Sequence, residues 1–259
     1  MEHLDVKIIS LKKTPKILKN IREIFSQAEI HLASDFRNLK PIDLFYQKYI
    51  TINAYDTLIK GRKWHKEITS SGAVGLYDSN RQALRTNKHK FLLLCEEDCV
   101  MNPTIYEEVK MLMQHKEIFD VAVFGPIIHG KTISTHLKNW HTLTNSSSFW
   151  GTHCVLYTPN AKEKLSEIYK NPLEIQIDSL LAFLDNAKEI RILLDMKRYA
   201  TQSIHISNIQ NFKCTICSVD SNTNLIHISI MIGAVAFLMG FILSKKFKNT
   251  FAFLFAGIK

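Results

Sequence analysis

Glycine and proline are scarce in this chain, nine and six among 259 residues. That leaves little room for long flexible linkers and excludes a collagen-like repeat. Cysteine is scarce as well, and five are too few for a disulfide scaffold. Cys214 and Cys217 form one C-x-x-C pair, which supplies two zinc ligands, with His205 the nearest further candidate. Free thiols are the expectation, and palmitoylation of this pair, just before an apolar run, is a lesser alternative. No internal repeat is present, and Met1–Lys16 lacks the apolar core of a signal peptide.

Acidic residues are missing from 225–259, which contains four lysines. The remainder carries 29 basic and 24 acidic residues, so the formal charge of +9 overstates how basic the main part is. No stripe of arginine with interleaved aromatics occurs, so nucleic acid is not an expected partner. The hydrophobic fraction of 46% supports a buried core.

Leu225–Leu243 runs for 19 residues without a formal charge. As a helix it would span about 28 Å, the thickness of a bilayer's hydrocarbon core. Ile228–Leu243 offers no polar face to water, unlike the helix of a soluble core. Lys245, Lys246 and Lys248 follow it. The expected organisation is a domain over 1–209, a polar stalk over 210–224, a transmembrane helix over 225–243 and a short basic and apolar tail over 244–259. Without a signal peptide, such an anchor inserts after synthesis and leaves the large domain in the cytosol. The flanking lysines favour a cytosolic C-terminus instead.

The first 209 residues alternate strand-like and helix-like segments. Val6–Leu11, Phe91–Cys95, Phe119–Phe124 and Cys154–Tyr157 read as strands. Helices are expected from Pro15 to about Ala28, over Gly75–Lys88, from Asn102-Pro103 to about His115, over Asn160–Tyr169 and over Gln176–Ala187. This alternation predicts an α/β fold with a mostly parallel, Rossmann-like sheet.

Two motifs compete for the chemistry. Glu96, Glu97 and Asp98 follow the strand Phe91–Cys95 directly, where ligands bind in open α/β sheets. Three consecutive acids repel one another, and a hard divalent cation with a diphosphate would offset that. A solvated cluster at a helix start explains the same residues. Separately, Gly125–Thr132 matches the phosphate-loop pattern GxxxxGK[ST], with Ile190–Asp195 as a possible second strand of an NTPase. Its interior, Pro-Ile-Ile-His, is stiff for a loop that must curl its N–H groups around phosphate.

Several segments in order resemble the family-25 glycosyltransferases, the group that includes lipopolysaccharide galactosyltransferases and the procollagen galactosyltransferase domain. Ile9-Ser10-Leu11-Lys12-Lys13 is similar to the family's opening I-N-L-D-R turn, with Lys13 at the first Arg position and Ile17 at the second. Gly72–Asn80 resembles G-E-x-G-C-x-x-S-H, with Ala73 and Asn80 in place of Glu and His. Phe91–Val100 resembles the apolar strand with E-D-D-V, and Phe119–Gly125 the next strand, which gives Gly125 a role other than phosphate binding. Gly151–Ala161, Ile175–Leu181, Gln202-Ser203 and Ser207-Asn208-Ile209 are similar to the family's remaining segments.

The resemblance implies a GT-A fold and inverting transfer of a hexose, galactose or glucose, from a UDP-sugar to a glycan or protein acceptor. It implies Mn²⁺ or Mg²⁺ on Asp98 and Glu96, and donor contacts from Ser10, Leu11, Lys13, Gly75, Ser79 and Glu96. Glu97 and Asp178 are then the catalytic candidates, Asp178 as acceptor-side base. Lys13 as a solvated turn lysine and Asp178 as an ordinary helix N-terminal acid explain the same positions. Trp150 is read as a core residue before a sugar-stacking one, and His153 is not assigned a catalytic role. The alternative to an enzyme is a non-catalytic member of the same fold that acts as a membrane-tethered binding protein.

Overall fold

The computed structural model describes residues 2–12 and 17–203. Lys13, the segments 204–209 and 210–224, the apolar run 225–243, the tail and the pair Cys214/Cys217 lie outside the described residues. Among the described residues no helix is long and apolar enough to cross a membrane. Cys95, Cys99 and Cys154 are free thiols.

In chain order the elements are β1 (Leu4–Ser10), α1 (Ile17–Ile24), β2 (Glu29–Leu32), α2 (Pro41–Tyr46), α3 (Ile52–Lys60), α4 (Ser71–Leu84), β3 (Phe91–Glu96), β4 (Cys99–Met101), α5 (Ile105–Gln114), β5 (Val121–Val123), β6 (Ile127–His129), β7 (Thr132–Ser134), β8 (Trp140–Leu143), β9 (Ser148–Trp150), β10 (Cys154–Tyr157), α6 (Pro159–Ile168), α7 (Ile177–Asn186), β11 (Ile192–Asp195) and β12 (Ala200–Gln202). Eight strands form one sheet in the order β2-β1-β3-β10-β5-β11-β8-β7. The strands β1, β2, β3, β5, β7 and β11 run one way; β10 and β8 run against them.

The central strands are apolar on both faces because helices cover both. Along β3, Leu92 and Leu94 join a core with α4, α6 and α7, while Phe91, Leu93 and Cys95 join a second core with Ile21 of α1 and Val109 and Leu112 of α5. This two-residue alternation is the pleat of the strand assigning side chains to opposite layers. Three helices start at identifiable caps: Ser70 accepts from the Ala73 N–H, Thr51 from Ala54 and Thr158 from Ala161. The expected start of α5 at Asn102-Pro103 falls early. Asn102 Oδ1 instead accepts from the Thr104 N–H and hydroxyl, and the helix begins at Ile105.

The phosphate-loop reading of Gly125–Thr132 is overturned. Residues Ile127–His129 form β6, paired antiparallel with β9, and Thr132–Ser134 form β7 rather than a helix. Gly125 and Gly130 have positive φ of 62° and 105°. A Cβ on Gly125 would stand 1.8 Å from the Ala200 carbonyl oxygen, and one on Gly130 2.5 Å from Ser147 Oγ. Both glycines therefore serve close chain approach. Asp195, the acid expected of a second NTPase strand, accepts from the N–H groups of Gly125, Lys197, Arg198 and Tyr199 and so ties a turn together.

Candidate active site

The parallel strands β1 and β3 end side by side, with Ile9 opposite Glu96. A cleft opens at these carboxyl ends, holding about 610 Å³ of empty space that is partly continuous with solvent. Ser10, Leu11, Glu96, Glu97 and Asp98 line it, together with Ala33–Asp35, Arg37, Gly72, Leu76 and Gln202. Glu96, Glu97 and Asp98 thus share one cavity with the end of β1, whereas Asp178 is not among its lining residues.

Each acid has its own surroundings. Ser10 Oγ donates to Glu97 Oε2 at 2.6 Å and accepts from the Lys12 N–H at 2.9 Å. That bond clips the end of β1 to the turn after β3. Gln202 Nε2 donates to Asp98 Oδ2 at 2.6 Å, and the Ser203 N–H donates to the Asp98 carbonyl. The two-stranded pair β4–β12 sets Gln202 opposite Cys99 and thereby beside Asp98. Burial above all, then the nearby Asp98, Cys99 and Asp178, pushes the Glu96 carboxyl well above the usual carboxylate range, against a hydrogen bond from Thr152.

Asp178 sits in the first turn of α7, far along the chain, yet its charge is felt at Glu96. Its Oδ2 accepts from the Gly151 N–H at 3.3 Å and its Oδ1 from the Ser179 N–H at 2.7 Å. Burial raises its proton affinity, and these N–H groups oppose the rise. A buried carboxylate with a raised pKa is a stronger base than one in water.

The fit of a divalent ion rests on this charge surplus. Asp98 and Asp178 each act unfavourably on Glu96, and carboxylate oxygens are the hard donors that Mn²⁺ or Mg²⁺ takes. Among the described residues no three His, Cys, Asp or Glu side chains converge as a metal-holding group. The arrangement therefore suits an ion held by one or two carboxylates, with diphosphate and water completing its shell.

Gly75 and Ser79 stand behind the cleft wall. A Cβ on Gly75 would lie 2.3 Å from the Ser34 carbonyl oxygen. Ser79 Oγ donates to the Gly75 carbonyl and accepts from the Ser34 N–H at 2.9 Å. Asp78 accepts from Ser34 Oγ at 2.5 Å and from Gln82 at 2.7 Å, and it pairs with Arg81. This face of α4 fixes the loop 33–37, whose Asp35 and Arg37 form a bidentate pair at the cleft. Ala73 and Asn80 are buried, and Asn80 Nδ2 bonds the Leu76 carbonyl of its own helix.

Trp150 is half-buried and engaged by two histidines. His65 stacks on it at 3.6 Å and His129 approaches it at 3.6 Å. Desolvation, then Arg62 and His129, pushes His65 down to about 4. His153 is buried, with Nε2 near Gly125.

Sequence reasoning did not single out the loop 33–37 or Leu76 as site residues. Gln202 belonged to a recognised segment without a role; its bond to Asp98 supplies one. The loop carries no motif, and only its packing on Gly75 marks it.

No family model matches the chain, and no curated protein matches it in sequence. Solved structures do resemble it. A UDP-glucose pyrophosphorylase complexed with UDP-glucose aligns at 13% identity and a TM-score of 0.43, over 76% of this chain and 92% of the other. A mannose-1-phosphate geranyltransferase from Thermus thermophilus aligns at 10% and 0.36, over 76% and 75%. HddC from Yersinia pseudotuberculosis aligns at 10% and 0.37, over 76% and 92%.

Proposed function

We propose that this chain is a metal-dependent, inverting glycosyltransferase, anchored to a membrane by 225–243, that moves galactose or glucose from a UDP-sugar to a hydroxyl of a glycan or protein. The observation that carries this reading is the cleft at the ends of β1 and β3, lined by Glu96, Glu97 and Asp98, with the charge of Asp178 felt at Glu96. The ordered likeness to family-25 glycosyltransferases supports the choice of reaction.

In this reading Asp98, held by Gln202, and Glu96 would take Mn²⁺ or Mg²⁺. A divalent ion bound there supplies Lewis-acid stabilisation of the departing diphosphate. Ser10, Leu11, Gly72 and Leu76 line the cleft in which the donor would lie. Glu97, clipped to Ser10, keeps the turn fixed toward the donor sugar. Lys13, two residues beyond Leu11, is proposed to reach the diphosphate. Asp178 removes the proton from the acceptor hydroxyl as its oxygen bonds to the anomeric carbon. The bond from that carbon to the diphosphate oxygen breaks on the opposite side, and UDP leaves with the electron pair.

Release of UDP from UDP-galactose or UDP-glucose with Mn²⁺, compared between the native chain and Asp98→Ala, tests the proposal. Loss of release in the variant is expected; equal release sinks it. The second reading, a binding protein without turnover, is favoured by Ala73 and Asn80, which replace the family's acid and histidine. It predicts UDP-sugar binding with no release of UDP.

A further inference from the structure

The surface from α2 to the loop after α3 exposes large apolar side chains that the cleft does not use. Tyr46 is 75% exposed, Ile52 55%, Ile59 58% and Trp64 67%. Ile52 and Ile59 lie seven residues apart on α3, so they share a helix face. Scattered exposed apolar residues are ordinary, but four within one short stretch of chain are not.

The same stretch is basic. From Pro41 to Glu67 it carries Lys48, Lys60, Arg62, Lys63 and Lys66 against three acids, Asp43, Asp56 and Glu67. Two of those acids are already engaged. Asp56 pairs with Lys60 at 2.6 Å. Glu67 Oε2 accepts from the N–H groups of Lys63 and Trp64, at 2.5 and 2.9 Å. The loop is therefore held in a turn that leaves Arg62, Lys63, Trp64 and Lys66 outward. Its base is fixed as well, because Gln176 Nε2 donates to the carbonyls of His65 and Glu67.

We infer that this surface docks on an anionic lipid bilayer. Exposed aliphatic and indole side chains close in sequence to exposed Lys and Arg are what a headgroup region accepts. The apolar parts enter the acyl boundary, while the cations stay at the lipid phosphates and carboxylates. Each basic residue near such a surface strengthens binding roughly fivefold. An acidic protein would match the cations but would not call for isoleucines and an open tryptophan beside them. The membrane span proposed at 225–243 would bring the same chain to lipid. The inference rests on the membrane anchor of the proposed function but not on its chemistry, because it concerns a surface outside the cleft and is read without turnover.

Amide hydrogen exchange of the full chain on nanodiscs tests it, comparing phosphatidylcholine alone with discs about one-third phosphatidylserine. Amides of residues 59–66 are expected to exchange at least about fivefold more slowly on the anionic discs, as one basic contact alone would give. The double variant Arg62→Glu, Lys63→Glu should abolish that difference, and Trp64→Ala should lessen the protection on the anionic discs. Equal exchange on the two discs overturns the inference, as does full protection in the charge-reversed variant. Protection that rises with protein concentration and ignores lipid also overturns it, by making a second copy of the chain the occupant.

Discussion

Replacing Gly75 by alanine sets two effects of opposite sign against each other. In a helix interior, Gly→Ala normally stabilises by about 1 kcal/mol. Gly75 lies within α4, so propensity alone predicts a gain. However, the new methyl would stand 2.3 Å from the Ser34 carbonyl oxygen and 3.3 Å from the Phe36 nitrogen. Both are backbone atoms, so no rotamer can relieve the contact. Overpacking of this kind costs about 1–3 kcal/mol, and a backbone obstacle puts it toward the upper end. The net expectation is a loss of about 1–2 kcal/mol, after subtracting the propensity gain. The displaced loop carries Asp35 and Arg37, so UDP affinity should fall with it. Urea unfolding reads the first effect as a lower midpoint at unchanged slope. A higher midpoint would show that α4 does not press on the loop and would refute the account of the cleft wall.

The remaining predictions concern the acids and the discarded motif. Asp178→Asn should lower kcat by about 10²–10⁴ while leaving UDP-sugar binding nearly unchanged, measured by steady-state kinetics and calorimetry. Glu96 and Asp178 have folded-state pKa values above the unfolded ones, so the folded state keeps protons that the unfolded state has lost. Their stability cost is absent below the unfolded carboxylate range and grows as pH rises toward the folded values; thermal melts should fall across that window, less steeply in Asp178→Asn. Gln202→Ala removes a charge-assisted bond to half-buried Asp98 and should cost about 1–2 kcal/mol, with weaker Mn²⁺ binding. Lys131→Ala should leave nucleotide binding unaltered, because Lys131 sits between short strands and its N–H bonds Ser147 Oγ.

Much of the fold was legible where burial writes a strong pattern. The runs of β3 and β10 are apolar because layers cover both faces, and the helix expected from Asn160 begins one residue earlier, at Pro159. Direction was not legible. Cys154–Tyr157 reads as a strand either way, and only its place between β3 and β5 makes it antiparallel. The segment 29–70 gave no expectation, since β2 and α2 are short and Pro41 opens a helix of six residues. Three-residue strands such as β6 and β9 carry no period at all.

The site divides the same way. Glu96–Asp98 announced themselves by acid at a strand end. Asp178 came only from a family likeness, because nothing local ties α7 to β3. The loop 33–37 was invisible, since its role depends on a contact with Gly75 that no local spacing encodes. The phosphate-loop pattern misled because glycines needed for positive φ and close packing fall at the motif's spacing.

Calorimetric titration of UDP into the full chain, with Mn²⁺ and then with chelator, tests the central claim most directly. A cleft whose surplus of carboxylate charge is completed by a cation and a diphosphate should bind UDP at least about tenfold more tightly with Mn²⁺. Asp98→Ala should erase the difference. Equal UDP affinity with metal and with chelator, or an undiminished Mn²⁺ effect in Asp98→Ala, would contradict the account.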